Sequence, residues 1–245
     1  MAEHLVYTER VGGSSPSPPT RRRRFWPRAL GVTLLLFGAL GLFSAQAEAG
    51  SMTFRVEPLE TGGCGGRCPH VIVADGVIEA ETPQAFVDFL KSGSSDAKLR
   101  RIVFFNSRGG NVVASMVFGH LLRELRIAGI VGRFESGSAG PYTGECLSAC
   151  VYAMMGAVRR IAPPGSEVAL HRMSIVESEN DGWAGASHVT RSFADAPMVA
   201  VLQRYARRMG VNPALVRTAE SLPPDSVHFL TLGEMRRWSF ATSQF

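Results

Sequence analysis

Two residues in this sequence have the types and surroundings that acyl chemistry needs, Ser148 and His171. Ser148 sits in Gly144-Glu145-Cys146-Leu147-Ser148-Ala149-Cys150, between a glycine-rich loop and a run of small residues that reads as a helix from about residue 148 to Gly156. His171 follows the apolar run Val168-Ala169-Leu170. A serine hydroxyl is nucleophilic near neutral pH only with a base beside it. The base in turn needs a partner that holds its tautomer, usually a carboxylate. A third feature is Asn106-Ser107-Arg108-Gly109-Gly110, which ends the apolar run Ile102-Val103-Phe104-Phe105. Two glycines there allow a tight turn, and N–H groups at a helix start can face developing negative charge. Each feature alone has a plainer reading: a helix N-cap for Ser148, a satisfied structural histidine for His171, an ordinary strand-to-helix turn for Gly109-Gly110.

The elements that must position these residues are legible as hydrophobic patterns. Val71 to Ala74, then Asp75-Gly76, then Val77-Ile78 read as strand, turn, strand. Residues 48–63 hold another strand candidate, Met52 to Val56. Thr82-Pro83 reads as an N-cap and first helical position, with Phe86, Val87, Phe89 and Leu90 on one face. Residues 101–105 suit a strand covered on both faces. Val113, Met116, Val117, Leu121, Leu122 and Leu125 recur at helical spacing. Short strands are expected at Ile130-Val131, Arg160-Ile161 and 168–170, a polar loop at 172–191, and helices at 192–209, 213–221 and 231–238. The stripe Val199, Leu202, Met209 reads as core in preference to an oligomer interface. Strands alternating with helices predict an α/β domain with a largely parallel sheet.

The chain of 245 residues carries a net charge of +5, but the surplus is local. Residues 1–47 hold six arginines against two glutamates, and the rest holds 20 basic against 19 acidic residues. No basic stripe with interleaved aromatics is present, which excludes nucleic acid as the expected partner. Residues 1–28 are basic and rich in Pro and Ser, the composition of a disordered segment. Residues 29–47 follow the arginine run Arg21 to Arg24, are apolar through Phe43, and end at Ala45-Gln46-Ala47, an A-x-A cleavage pattern. The apolar run of about 15 residues is short for a membrane span, which takes about 17–25. A cleaved signal peptide and an uncleaved inner-membrane anchor both remain open, and either exports the domain. Residues 48–69 read as a linker carrying a Cys pair, and 70–245 as the domain.

Four cysteines form two Cys-x3-Cys pairs, Cys64/Cys68 and Cys146/Cys150. In an oxidising compartment disulfides are the default. Three pairings exist; the two local ones are favoured over a four-cysteine zinc site or a reduced, buried set. No other metal-ligand spacing and no nucleotide-binding motif is seen, so no metal or cofactor is expected.

Taken in order, Phe-Asn-Ser-x-Gly-Gly (105–110), a helix, a strand, Gly144-x-x-x-Ser148, a small-residue helix ending at Gly156, Arg159-Arg160, Pro163-Pro164 and Val168-Ala169-Leu170-His171 resemble the proteolytic subunit of Clp protease. Phe229-Leu230-Thr231-Leu232-Gly233-Glu234 is similar to that family's Phe-Leu-Ser/Thr-x-x-Glu segment. The resemblance covers about residues 70–240, and is strongest to exported Clp-like proteins of Gram-negative bacteria with a Cys-x-Ser-Ala-Cys signature. It implies a Clp/crotonase-like fold of repeated ββα units, a periplasmic location, a peptide or protein substrate and a homo-oligomer. Residue by residue it implies Ser148 as nucleophile, His171 as base, and N–H groups of Gly110 and Ala149 as the oxyanion hole. Asp225 falls nearest the family's acid, though two residues off the usual pattern, with Asp195 and Glu220 as lesser candidates. Arg108 stands where the family has proline, Ala149-Cys150 where it has Met-Gly, and the segment around Trp183 is longer and polar. The expected activity is therefore a serine peptidase or related hydrolase. The alternatives are a non-catalytic binding or scaffold module on the same fold and, less favoured, acyl-CoA chemistry.

Overall fold

The structure is a computed structural model that describes residues 50–60, 63–93, 96–135, 140–180 and 187–244. The basic region 1–28 and the apolar segment 29–47 lie outside the described residues. Among the described residues no helix is long and apolar enough to cross a membrane.

The elements run β1 (Thr53–Pro58), β2 (His70–Asp75), α1 (Thr82–Gly93), β3 (Leu99–Asn106), α2 (Val112–Glu124), β4 (Ala128–Val131), β5 (Glu145–Leu147), α3 (Ala149–Gly156), β6 (Arg160–Ile161), β7 (Glu167–Leu170), β8 (Ser174–Asn180), β9 (Ser187–Phe193), α4 (Ala196–Arg208), α5 (Ala214–Ser221), β10 (His228–Phe229) and α6 (Leu232–Arg237). The main sheet has the order β1-β2-β3-β4-β6, parallel except for the antiparallel edge strand β1. A second sheet, β10-β7-β5, pairs β5 and β7 in parallel. The architecture is α/β with a largely parallel sheet flanked by helices, and a ββα order recurs in β1-β2-α1 and β4-β5-α3.

Why β2 and β3 are nearly continuous apolar runs follows from burial on both faces. Ile72, Ala74, Val103 and Phe105 join the main core, while Val71, Val73 and Phe104 join a second cluster with Ile130, Phe134 and Ile161. The main core centres on α3, every residue of which is buried. A helix apolar all round belongs inside a domain. It packs on α2 at close range: a Cβ on Gly156 would lie 1.9 Å from the Gly119 carbonyl oxygen. Only glycine lets the two backbones approach like this.

Two expectations are corrected. Within 48–69, read as a linker with a strand candidate at Met52 to Val56, residues 53–58 form part of the main sheet: β1 pairs with β2 along its full length and Met52 is buried. Within 172–191, expected as a loop, β8 and β9 pair as antiparallel strands, with Ser174 opposite Phe193 and Asn180 opposite Ser187, while residues 181–186, Trp183 among them, lie outside the described residues. Their polar composition concealed the two strands because the pair belongs to neither larger sheet and needs no apolar alternation. Thr82 opens α1 as expected, but its hydroxyl accepts from the preceding Glu79 N–H at 2.9 Å, so it fastens the approach to the helix. The stripe along 192–209 is core: Leu202 and Met209, just past the end of α4, are buried and Val199 packs against the same core.

Candidate active site

Ser148 stands at the corner between β5 and α3. Its backbone has φ 55° and ψ −121°, and its side chain makes no capping hydrogen bond. A left-handed conformation at a non-glycine residue costs about 1–3 kcal/mol and persists only where the surroundings impose it. The plainer reading, a helix N-cap, requires extended backbone and a side chain bonded to the first turn. Ser148 has neither. The geometry is that of a strand-to-helix elbow that lifts a hydroxyl clear of the helix.

The surroundings that impose the corner are identifiable. The Ser148 N–H donates to the Ala169 carbonyl at 2.9 Å, continuing the β5–β7 ladder. A disulfide joins Cys146 on β5 to Cys150 in the first turn of α3, bridging over Ser148, and both cysteines are fully buried. Cys64 and Cys68 form the other disulfide, so all four cysteines are paired locally and the zinc alternative is removed. On the far side, the end of β3 is tied to β5. Ser107 N–H donates to Glu145 O at 2.8 Å, Leu147 N–H donates to Ser107 O at 2.9 Å, and Asn106 Oδ1 accepts from Glu145 N–H at 3.1 Å.

That tie brings the glycine turn against the serine. Gly109 has φ 104° and Gly110 φ 130°. A Cβ at Gly109 would sit 2.8 Å from Ser148 Cβ and 3.0 Å from the Ala149 nitrogen. Within the turn, the Gly109 N–H is used by Ser107 Oγ and the Asn111 N–H by Ile78 O. The Gly110 N–H has no acceptor among the described residues, and neither has the Ala149 N–H. Asn111 caps α2, its Oδ1 accepting from Ala114 N–H, a signal present in the sequence as an Asn before the helical run.

His171 follows β7 directly, one residue beyond the Ala169–Leu170 level at which Ser148 joins the ladder. Its Nδ1 lies 2.7 Å from the Arg172 carbonyl oxygen. A carbonyl only accepts, so Nδ1 carries a proton, and in the neutral ring the lone pair is then on Nε2. No hydrogen bond joins Ser148 and His171 among the described residues. Catalytic hydrogen bonds are often open before substrate arrives and tighten with it.

The carboxylates divide differently from the expectation. Asp225 faces solvent: its side chain is 87% exposed and paired with Arg191 at 2.7 Å, and no hydrogen bond joins it to His171 among the described residues. Pro223-Pro224 precede it on the surface loop after α5, so the chain leaves the core before reaching it. Asp195 caps α4 by accepting from Met198 N–H at 2.8 Å. Glu220, on α5, is the carboxylate near the histidine. Burial pushes its carboxyl above the usual range, opposed by the Met173 N–H and by the charges of Arg172 and His171. A polar cleft of about 340 Å³, lined by Asn106, Arg133, Glu145 and Glu167 among others, flanks the strand leading to Ser148.

No protein-family model and no curated protein matches the chain. Solved structures do. A mutant of the 1510-N membrane-bound stomatin-specific protease is similar at 16% identity and TM-score 0.48, over 71% of this chain and 78% of that one. A second mutant of that protease, in complex with a substrate peptide, is similar at 16% identity and TM-score 0.46, over 71% and 74%. A ClpP1 mutant from Listeria monocytogenes is similar at 14% identity and TM-score 0.41, over 70% and 88%. Identity this low carries no residue-by-residue correspondence.

Proposed function

We propose that the chain is an exported serine hydrolase of the peptidase type. Ser148 Oγ attacks a substrate carbonyl while His171 Nε2 takes its proton. The proton then passes to the leaving group, and water releases the acyl-enzyme by the same route reversed. The N–H groups of Gly110 and Ala149 hold the oxyanion, each such donor being worth about 3–4 kcal/mol to the transition state. Peptide or protein as substrate, a periplasmic location with 29–47 as signal or anchor, and assembly into a homo-oligomer follow from the Clp-like sequence motifs. The two local disulfides support an oxidising compartment. Asp225 is not part of this reading.

The observation that carries the proposal is the strained, uncapped Ser148 corner beside two uncommitted N–H groups. A second reading, a binding or scaffold module, draws on the exposure of Asp225 and the missing Ser148–His171 hydrogen bond. A fluorophosphonate probe separates them. The oxidised, full-length protein should be labelled at Ser148, and labelling should vanish in Ser148→Ala and His171→Gln. A folded, oxidised protein that resists the probe supports the scaffold.

A further inference from the structure

We propose that Glu220 is the positioning residue of this site and acts on His171 through a single peptide group. The proposal rests on the reading of Ser148 and His171 as nucleophile and base. His171 Nδ1–H donates to the carbonyl of Arg172 at 2.7 Å. The other end of that same peptide group is the N–H of Met173, which donates to Glu220 Oε1 at 3.3 Å. Imidazole, peptide and carboxylate therefore form one chain of donors and acceptors.

A carboxylate on the N–H end of a peptide draws its dipole further out and makes the carbonyl a stronger acceptor. In hydrogen-bond chains this strengthens each bond by about 10–30%. Glu220 thus does from behind a peptide what a triad acid does by contact. It holds the ring in the tautomer with Nε2 free, and it sets negative charge behind the ring when that nitrogen takes a proton. No covalent bond changes behind the ring; the proton moves only between Ser148 Oγ and Nε2, and the Nδ1 proton stays.

A second observation points the same way. Among the described residues, Glu220 Oε2 is a buried atom with no hydrogen-bond partner, and so is the Nε of neighbouring Arg172. Arg172 instead stacks its guanidinium on Phe193, 4.3 Å from the ring centroid. Two half-buried charged groups that each hold a buried polar atom away from the other make a poor structural pair. An arrangement serving only stability would close Arg172 onto Glu220. Here the carboxylate is left facing the backbone beside His171.

The test reads the imidazole directly. Full-length, oxidised protein with 15N-labelled histidine is compared in wild type, Glu220→Gln and Glu220→Leu, with the His171 signals assigned by their loss in His171→Gln. The wild type should show a single Nδ1–H tautomer with a downfield Nδ1 proton. Glu220→Gln keeps an acceptor but loses the charge, so that proton should move upfield. Glu220→Leu loses both, and the two tautomers should mix. In parallel, hydrolysis of p-nitrophenyl butyrate should fall about tenfold in kcat for Glu220→Gln with KM within about twofold, and Glu220→Asp should restore part of it. Thermal melts check folding, and the Gln and Asp variants serve if the Leu variant fails to fold. His171 spectra identical in wild type and all folded Glu220 variants would overturn the proposal. If the wild type is neither labelled nor active, the reading of Ser148 falls, and the tautomer spectra still decide whether Glu220 holds the ring.

Discussion

At its C-terminal end α3 hands its carbonyls to arginines; at its N-terminal end it leaves its first N–H uncommitted. Arg160 donates to Met155 O and Ala157 O at the end of α3, to Met209 O after α4, and to Ser239 O and Phe240 O after α6. Arg123 adds bonds to Met155 O and Met209 O. Burial and the nearby Arg123 charge pull the Arg160 guanidinium down to about 10, yet the dipole ends of the helices keep it in place. The other end carries a left-handed serine with no cap. One short helix thus has a saturated end and a strained end. The strained end persists because β7, the buried disulfide and the β3–β5 tie hold it, whereas the saturated end carries no such strain.

The largest expected effect is on activity. Ser148→Ala should cut turnover of any accepted substrate by about a thousandfold or more while moving the melting temperature little, because alanine at this φ is strained as serine is. Equal loss of stability would mean that the corner is structural. On the saturated side, Arg160→Met should cost about 3 kcal/mol or more in a denaturant titration, since buried carbonyls lose charged donors. A loss no larger than that of a surface substitution would break the contrast between the two ends.

Gly109→Ala tests the wall of the strained end. Its Cβ meets Ser148 Cβ and the Ala149 nitrogen, so it should displace the serine and lower activity about a hundredfold, with the disulfide still formed. Ser148→Gly sharpens the comparison from the other direction. Relief of the left-handed strain should raise stability by about 1 kcal/mol in thermal melts, with activity abolished.

The smallest effect concerns Glu220 and has a definite sign. Its carboxyl is raised in the folded state, chiefly by burial. The folded protein therefore binds that proton more tightly than the unfolded chain. Stability present in acid is lost as pH rises from the ordinary carboxylate value through the raised one. Glu220→Gln does not titrate, so it should melt above the wild type at neutral pH and match it in acid. A gap that is constant across pH would show that the charge is not what burial opposes.

Much of this was legible in the chain alone. Apolar runs at 71–74 and 101–105 announced buried strands, helical spacing announced α2 and α4, and two Cys-x3-Cys pairs announced local disulfides. These signals are short in range, because hydrophobic period and ring closure over a few residues depend on neighbours in sequence. Ser148, His171 and Gly110 could be singled out because an ordered string of motifs surrounds them. What only the tertiary structure decided is long in range. That Ser148 is left-handed depends on β7, the buried disulfide and the β3 tie acting together. That Asp225 points to solvent and Glu220 to the core depends on where α5 ends. That a peptide group lies between imidazole and carboxylate depends on the corner after β7, where the chain leaves the sheet for β8. Residue types and spacing name the candidate groups, but which carboxylate reaches the backbone beside His171 is set by packing between residues 47 apart in the chain, and no local pattern encodes that.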